Sequence, residues 1–177
     1  MNSISKIIGV LVLAIVTFSC DSGQSLQQYY VDSKENNEFI SVDLPSSILQ
    51  FKNDEVSEDI KNTLNTIKKV NFLALQLTET NKELYNSEKE KVKLILKNPK
   101  YKQLMRMNGG KGNVSINYLG DEDAIDEVVI FGSDNTKGFA LVRVLGEKMN
   151  PSDIMKISQE IKLDGDSNQL HQLEGLM

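Results

Sequence analysis

The sequence predicts an α+β fold, a two-layer sandwich in which a mostly antiparallel sheet carries helices on one face. Three observations predict it. Asn113 to Leu119 alternates with period two, Val114, Ile116 and Tyr118 against Ser115 and Asn117, the pattern of a strand with one buried face. Ser57 to Lys69 and Thr80 to Asn98 instead space their apolar residues at helical intervals, with charge on the other side. Strand candidates outnumber helix candidates, and four of them follow one another across short turns, which favours hairpins over βαβ crossovers.

Composition sets the outer bounds. The 177 residues suit one domain long enough to bury a core without staples. Hydrophobic content of 40% and charged content of 25% are ordinary for a globular chain. A net charge of -5 and a pI near 5.0 argue against nucleic acid as a partner, because phosphate binding needs a basic face to replace counterions. The single Cys excludes an intramolecular disulfide, and one His with no Trp leaves a thin inventory for catalysis.

The N-terminus accounts for that cysteine. Met1 to Lys6 carries one positive charge, and Ile7 to Phe18 is an almost unbroken apolar run. A helix of that run is about 18 Å long, too short for a hydrocarbon core of about 30 Å, so the layout is that of a signal peptide. Polarity switches at Ser19-Cys20-Asp21. Val16 to Cys20 resembles the lipobox of bacterial lipoproteins, with Thr17 and Phe18 departing from its common pattern. The resemblance implies cleavage before Cys20 and acylation of its thiol, palmitate being the usual kind of chain. Two or more acyl chains anchor stably, since each buried CH₂ contributes about 0.8 kcal/mol. Residues 1–19 are therefore expected to be a signal peptide, and 20–37 the lipidated Cys20 followed by a flexible tether. The polar run from Ser22 to Asn37 motivates the tether; Tyr29 and Tyr30 could also dock on the domain.

A single domain is expected over 38–163. Glu38 to Asp43 reads as a strand. Leu44-Pro45-Ser46-Ser47 reads as a helix entry, with Ile48, Leu49 and Phe51 following, because Pro loses nothing in a first turn. Val56, Ile60, Leu64 and Ile67 give the stripe of a helix from Ser57 to Lys69. Val70 to Leu77 is a strand with Leu73, Leu75 and Leu77 on one face. Thr80 to Asn98 is a helix burying Tyr85, Val92, Ile95 and Leu96, wetting Lys89, Lys91, Lys93 and Lys97, and stopped by Pro99.

Strands are then expected at Tyr101 to Asn108, Asn113 to Leu119, Ile125 to Phe131 and Phe139 to Leu145. Their turns fall at Gly109 to Gly112, Gly120 to Asp123 and Ser133 to Gly138. Asn150-Pro151-Ser152-Asp153 opens a last helix with Ile154, Ile157 and Ile161 inward. Residues 164–177 read as a polar tail. The element order is β-α-β-α-β-β-β-β-α, without an internal repeat.

The stretch from Gly138 through Phe139, Arg143, Gly146, Glu147, Asn150, Pro151 and Asp153 to Met155 resembles the C-terminal signature of the bacterial family called domain of unknown function 4252. The resemblance covers Phe39 to about Lys162. It implies a lipoprotein of similar element order, and it implies no activity and no catalytic residues.

Local chemistry is sparse. His171 sits in the tail among Gln169, Leu170 and Gln172, without the fixed geometry a catalytic histidine needs. Asp164-Gly165-Asp166-Ser167-Asn168 opens like a calcium loop, but Gln169 replaces its turn glycine and Gly175 its closing Glu. Asp121, Glu122 and Asp123 with Asp126 and Glu127 form an acidic cluster that reads as a solvated turn or a weak cation site. Gly109-Gly110-Lys111-Gly112 lacks the Lys-Ser/Thr helix start of a phosphate loop. Lys97, Lys100, Lys102 and Arg106 form a basic stripe suited to acidic headgroups or an acidic partner. Arg143, inside an apolar strand, calls for a carboxylate across the sheet or an open sheet surface.

The expectation is thus a non-enzymatic cell-envelope protein, held at the inner or outer membrane by acylated Cys20, with its domain outside the cytoplasm. It would bind an envelope protein or component through the helix-free sheet face. It would need no cofactor or metal, and it would bind no nucleic acid. The alternatives are an envelope hydrolase or ligand-binding enzyme with a scattered site, and a structural spacer.

Overall fold

A computed structural model describes residues 23–46, 49–51, 58–110, 112–150 and 161–163. The signal peptide, Cys20, the last expected helix beyond Asn150, and the tail with His171 and Asp164 to Asn168 lie outside the described residues. The elements are helix α1 (Leu26–Lys34), strands β1 (Phe39–Pro45) and β2 (Leu49–Phe51), helix α2 (Glu58–Thr66), strand β3 (Ile67–Gln76), helix α3 (Lys82–Leu96), and strands β4 (Lys102–Asn108), β5 (Gly112–Asp121), β6 (Ala124–Asp134), β7 (Gly138–Met149) and β8 (Ile161–Leu163). Six strands form one sheet in the order β1-β3-β7-β6-β5-β4, every pairing antiparallel. The two short strands β2 and β8 pair with each other. The α+β sandwich expected from the sequence is the fold observed.

Alternation along the central strands divides the apolar residues between the two faces of the sheet. Leu73 and Leu75 of β3, Leu141 and Phe139 of β7, and Val129 and Phe131 of β6 share one cluster with α1 and α3. Val128 of β6 points the other way, into a cluster with Ile116, Tyr118, Ile125 and Met149, which Leu64 of α2 also joins. Val42 and Leu44 of β1 extend that side with Val70 and Phe72. Two helices therefore cover one face, and α2 packs through Leu64 at the opposite one. Each fully buried large apolar side chain stabilises the fold by about 1.5–3 kcal/mol relative to exposure. Gly138 holds the entry of β7, since at φ 131° a Cβ would meet the Leu75 carbonyl oxygen at 2.1 Å.

Four local expectations are corrected. Within the tether expected over 20–37, Leu26–Lys34 forms α1 instead. Ser25 caps it by accepting a hydrogen bond from the Gln28 amide at 3.1 Å, and Leu26, Tyr29, Tyr30 and Ser33 are buried at helical spacing. Tyr29 meets Phe39 edge to face at 6.4 Å between centroids, and the Tyr30 hydroxyl donates to the Leu141 carbonyl at 2.9 Å. The two tyrosines thus dock on the domain, which begins well before residue 38.

The helix entry at Pro45 is the end of β1, and Leu49–Phe51 is a strand. β1 is an edge strand, where a missing N–H costs as little as in a first helical turn. The second helix stops at Thr66 rather than Lys69, and Ile67 opens β3 opposite Gly146 of β7. Ile161, expected on a helix face, belongs to β8 opposite Phe51.

Candidate functional site

The face that carries α1 and α3 is closed over β3, β7 and β6 and open over β5 and β4. The closed part contains an ion pair. Arg143 of β7 donates from Nη2 to Glu127 Oε2 of β6 at 2.7 Å, and from Nη1 to Gln27 Oε1 of α1 at 2.5 Å. Both charged side chains are about nine-tenths buried. The Tyr101 hydroxyl donates to the other Glu127 oxygen at 3.3 Å. Arg143 therefore finds its carboxylate across the sheet, the first of the two readings of that residue.

The pair modulates the phenols around it, which burial dominates. Burial pushes the Tyr101 hydroxyl far above its ordinary range, and the Glu127 carboxylate adds to this. Tyr30 is raised in the same way by burial, with Arg143 partly offsetting it. At the β1 edge, burial raises the Asp43 carboxyl. Hydrogen bonds from Lys34, Lys69 and Asn71 outweigh it, leaving Asp43 below its ordinary value of 3.8.

Beyond β6 the character of the face changes. A cleft of about 540 Å³ opens between the last turns of α3 and strands β4–β6. Lys93 and Leu96 of α3, with Lys97 as its C-cap, form one wall. The floor and far wall are Gln103, Arg106, Ser115, Asn117, Phe131 and Ser133. Asn117 is buried on the floor and donates to the Ser115 hydroxyl at 3.3 Å. Strand β4, the outer wall, is an edge strand exposed along nearly its whole length.

Among the described residues, no carboxylate and no histidine lines the cleft. Among the described residues, Lys97 and Arg106 form no ion pair, whereas Lys93 is held by Glu90 at 2.7 Å. The chemistry on offer is cationic charge at the rim with amide and hydroxyl groups over an aromatic floor. Groups of this kind can pair with anions and with polar backbone.

The expected site residues distribute as follows. The basic stripe splits: Lys97 and Arg106 line the cleft, Lys100 lies over the Tyr101 ring at 5.2 Å, and Lys102 lies over the Tyr118 ring at 5.7 Å. The acidic cluster also splits, with Asp121, Glu122, Asp123 and Asp126 exposed and Glu127 buried against Arg143. Among the described residues no three His, Cys, Asp or Glu side chains are grouped to hold a metal. Gly109 to Gly112 is the β4–β5 turn, closed by the Gly109 amide on the Gly112 carbonyl at 2.7 Å. Among the described residues no helix is long and apolar enough to cross a membrane. Sequence reasoning missed Asn117, Ser115, Gln103 and Ser133. Their signal was present as the polar half of each strand's alternation, which reads as a solvent face until the helices are placed.

No curated protein and no solved structure matches the chain. The family described as a domain of unknown function (DUF4252) matches residues 29–157, from within α1 through the whole six-stranded sheet. The match spans the buried ion pair and the cleft alike, and the chain belongs to this family.

Proposed function

We propose that this protein is a lipid-anchored, non-enzymatic binding module of the cell envelope, and that it takes an anionic partner in the cleft between α3 and β4. The observation that carries the reading is the lining of that cleft, which among the described residues has cations and amides but no acidic group. An acidic segment entering there would meet Lys97 and Arg106, neither of which is paired with a carboxylate among the described residues. The exposed edge of β4 offers main-chain hydrogen bonds to the same segment. The Ser115 hydroxyl accepts from the Asn117 amide, and no base is paired with it among the described residues. Anchoring is supported by the apolar run and Cys20.

Two measurements test this. Mass spectrometry of the mature N-terminus is expected to find an acylated Cys20; a chain that begins at Met1 with a free thiol refutes the anchoring. A photoreactive side chain at Gln103 is expected to give a discrete crosslinked partner in intact cells. The same group at Glu83, far along α3, should not give that product. Arg106→Glu should abolish it. Identical products from both positions, or a product indifferent to Arg106→Glu, refute the cleft as the site.

A further inference from the structure

We propose that the end of the domain where α1 begins and α3 finishes docks on an anionic phospholipid surface, so that the anchored protein lies against the membrane in one orientation. The proposal rests on the reading of Cys20 as acylated. Its first support is chain length. A tether of sixteen residues would let any face meet the bilayer, but α1 starts at Leu26 and is packed into the core. Gly23 is three residues from Cys20, a reach of at most about 11 Å even fully extended. The surface around Gly23 is therefore held at the headgroups.

The second support is what that surface carries. A groove of about 700 Å³ between the start of α1 and the end of α3 is lined by Gly23, Gln28, Lys91, Leu94, Lys97 and Lys100, among others, and by no carboxylate among the described residues. Leu94 is 64% exposed, the most open of the large apolar side chains among the described residues. It stands between lysines whose stems can lie on an apolar surface while their ammonium groups reach phosphate. Lys91 is bridged to the nearly buried Glu88 at 2.6 Å, and the other two lysines have no ion pair among the described residues.

The third support is charge segregation. From Lys91 to Gly120 there are seven cations and not one Asp or Glu, so the rest of a chain of net charge -5 carries -12. A uniformly acidic protein is repelled by an anionic bilayer; one that sets three of these cations, Lys91, Lys97 and Lys100, around the groove nearest the anchor is turned by the same field. Each lysine brought to such a surface favours the docked orientation about fivefold, and the effect fades beyond a Debye length.

The test uses the full acylated chain on vesicles of phosphatidylcholine alone, or of phosphatidylcholine with phosphatidylglycerol. Acylation leaves no free thiol, so Leu94→Cys can carry a single fluorophore, and brominated lipid reports its depth. Strong quenching is expected on the anionic vesicles and weak quenching on the neutral ones. Lys91→Glu, Lys97→Glu and Lys100→Glu together should remove the difference without releasing the protein, and Lys82→Glu at the far end of α3 should leave it intact. Raising salt toward 1 M should weaken the quenching. Protein that floats with both vesicles but keeps its label equally in water overturns the docking alone. An unmodified Cys20 with flotation on neither vesicle overturns the anchoring, and the docking with it.

Discussion

Arg143 and Arg106 stand on the same face of the same sheet, and they differ in nearly everything else. Arg143 lies under α1, 8% exposed, with a carboxylate and an amide oxygen bound to it. Arg106 lies on the edge strand, exposed, with no ion pair among the described residues. The neighbours change with them. Facing residues are Leu73, Leu75, Leu141 and Phe139 on the central strands, and Ser115, Asn117 and Gln103 on β5 and β4. The two helices cover only part of a six-stranded sheet, and the residue types follow that cover. An arginine in the covered half is a structural element that must be neutralised, because an unpaired charge removed from water is costly. An arginine in the uncovered half keeps its charge available for something else.

The largest expected effect tests the covered half. Glu127→Leu alone should destabilise the protein by about 3–5 kcal/mol in urea unfolding, because it strands the Arg143 guanidinium. Adding Arg143→Met to the same chain should recover at least half of that loss, since apolar groups of similar volume need no partner. A single substitution costing under about 1 kcal/mol would mean that water reaches Arg143, and the contrast with Arg106 would collapse.

The next effect concerns the lid on that half. Leu26, at the start of α1, is 1% exposed within the main cluster. Leu26→Ala is expected to cost about 2–5 kcal/mol, the range for emptying a buried leucine site. If α1 were a tether lying loosely on the domain, the same change would stay within about 0.5 kcal/mol, as for a surface position.

Much of this contrast was hidden in the sequence for physical reasons. The strands were legible because Val114, Ile116 and Tyr118, like Leu73 and Leu75, declare period two by themselves. The third helix was legible from Tyr85, Val92 and Ile95, although Glu88 is buried on the same stripe and reads as a surface charge. The first helix was not. Ser25 as a cap and Leu26, Tyr29 and Tyr30 at helical spacing are a real signal. It is short, and it sits in a polar run whose composition suggests a linker. The β2–β8 pair was invisible because it joins Leu49–Phe51 to Ile161–Leu163, more than 100 residues apart, through three residues each. The cleft was illegible for a third reason. Alternation shows which residues share a face but not which face the helices will cover, and Asn117 and Ser115 were read as the solvent side of β5 when they form the floor of a concavity under α3.

The smallest expected effect is the one that separates the two halves most sharply. Arg106→Ala should change urea stability by no more than about 0.5 kcal/mol, the usual range for an exposed position without special contacts. No ion pair among the described residues is lost, and β4 keeps its pairing with β5, where Arg106 sits opposite Ser115. The same change should lower capture of an anionic partner in the cleft, so the residue would matter to binding and not to folding. Arg143 is expected to behave in the opposite sense, through stability. A cost above about 1 kcal/mol at Arg106 would show that its guanidinium is already engaged in the folded chain. The uncovered half would then be a second piece of scaffold rather than a vacant surface.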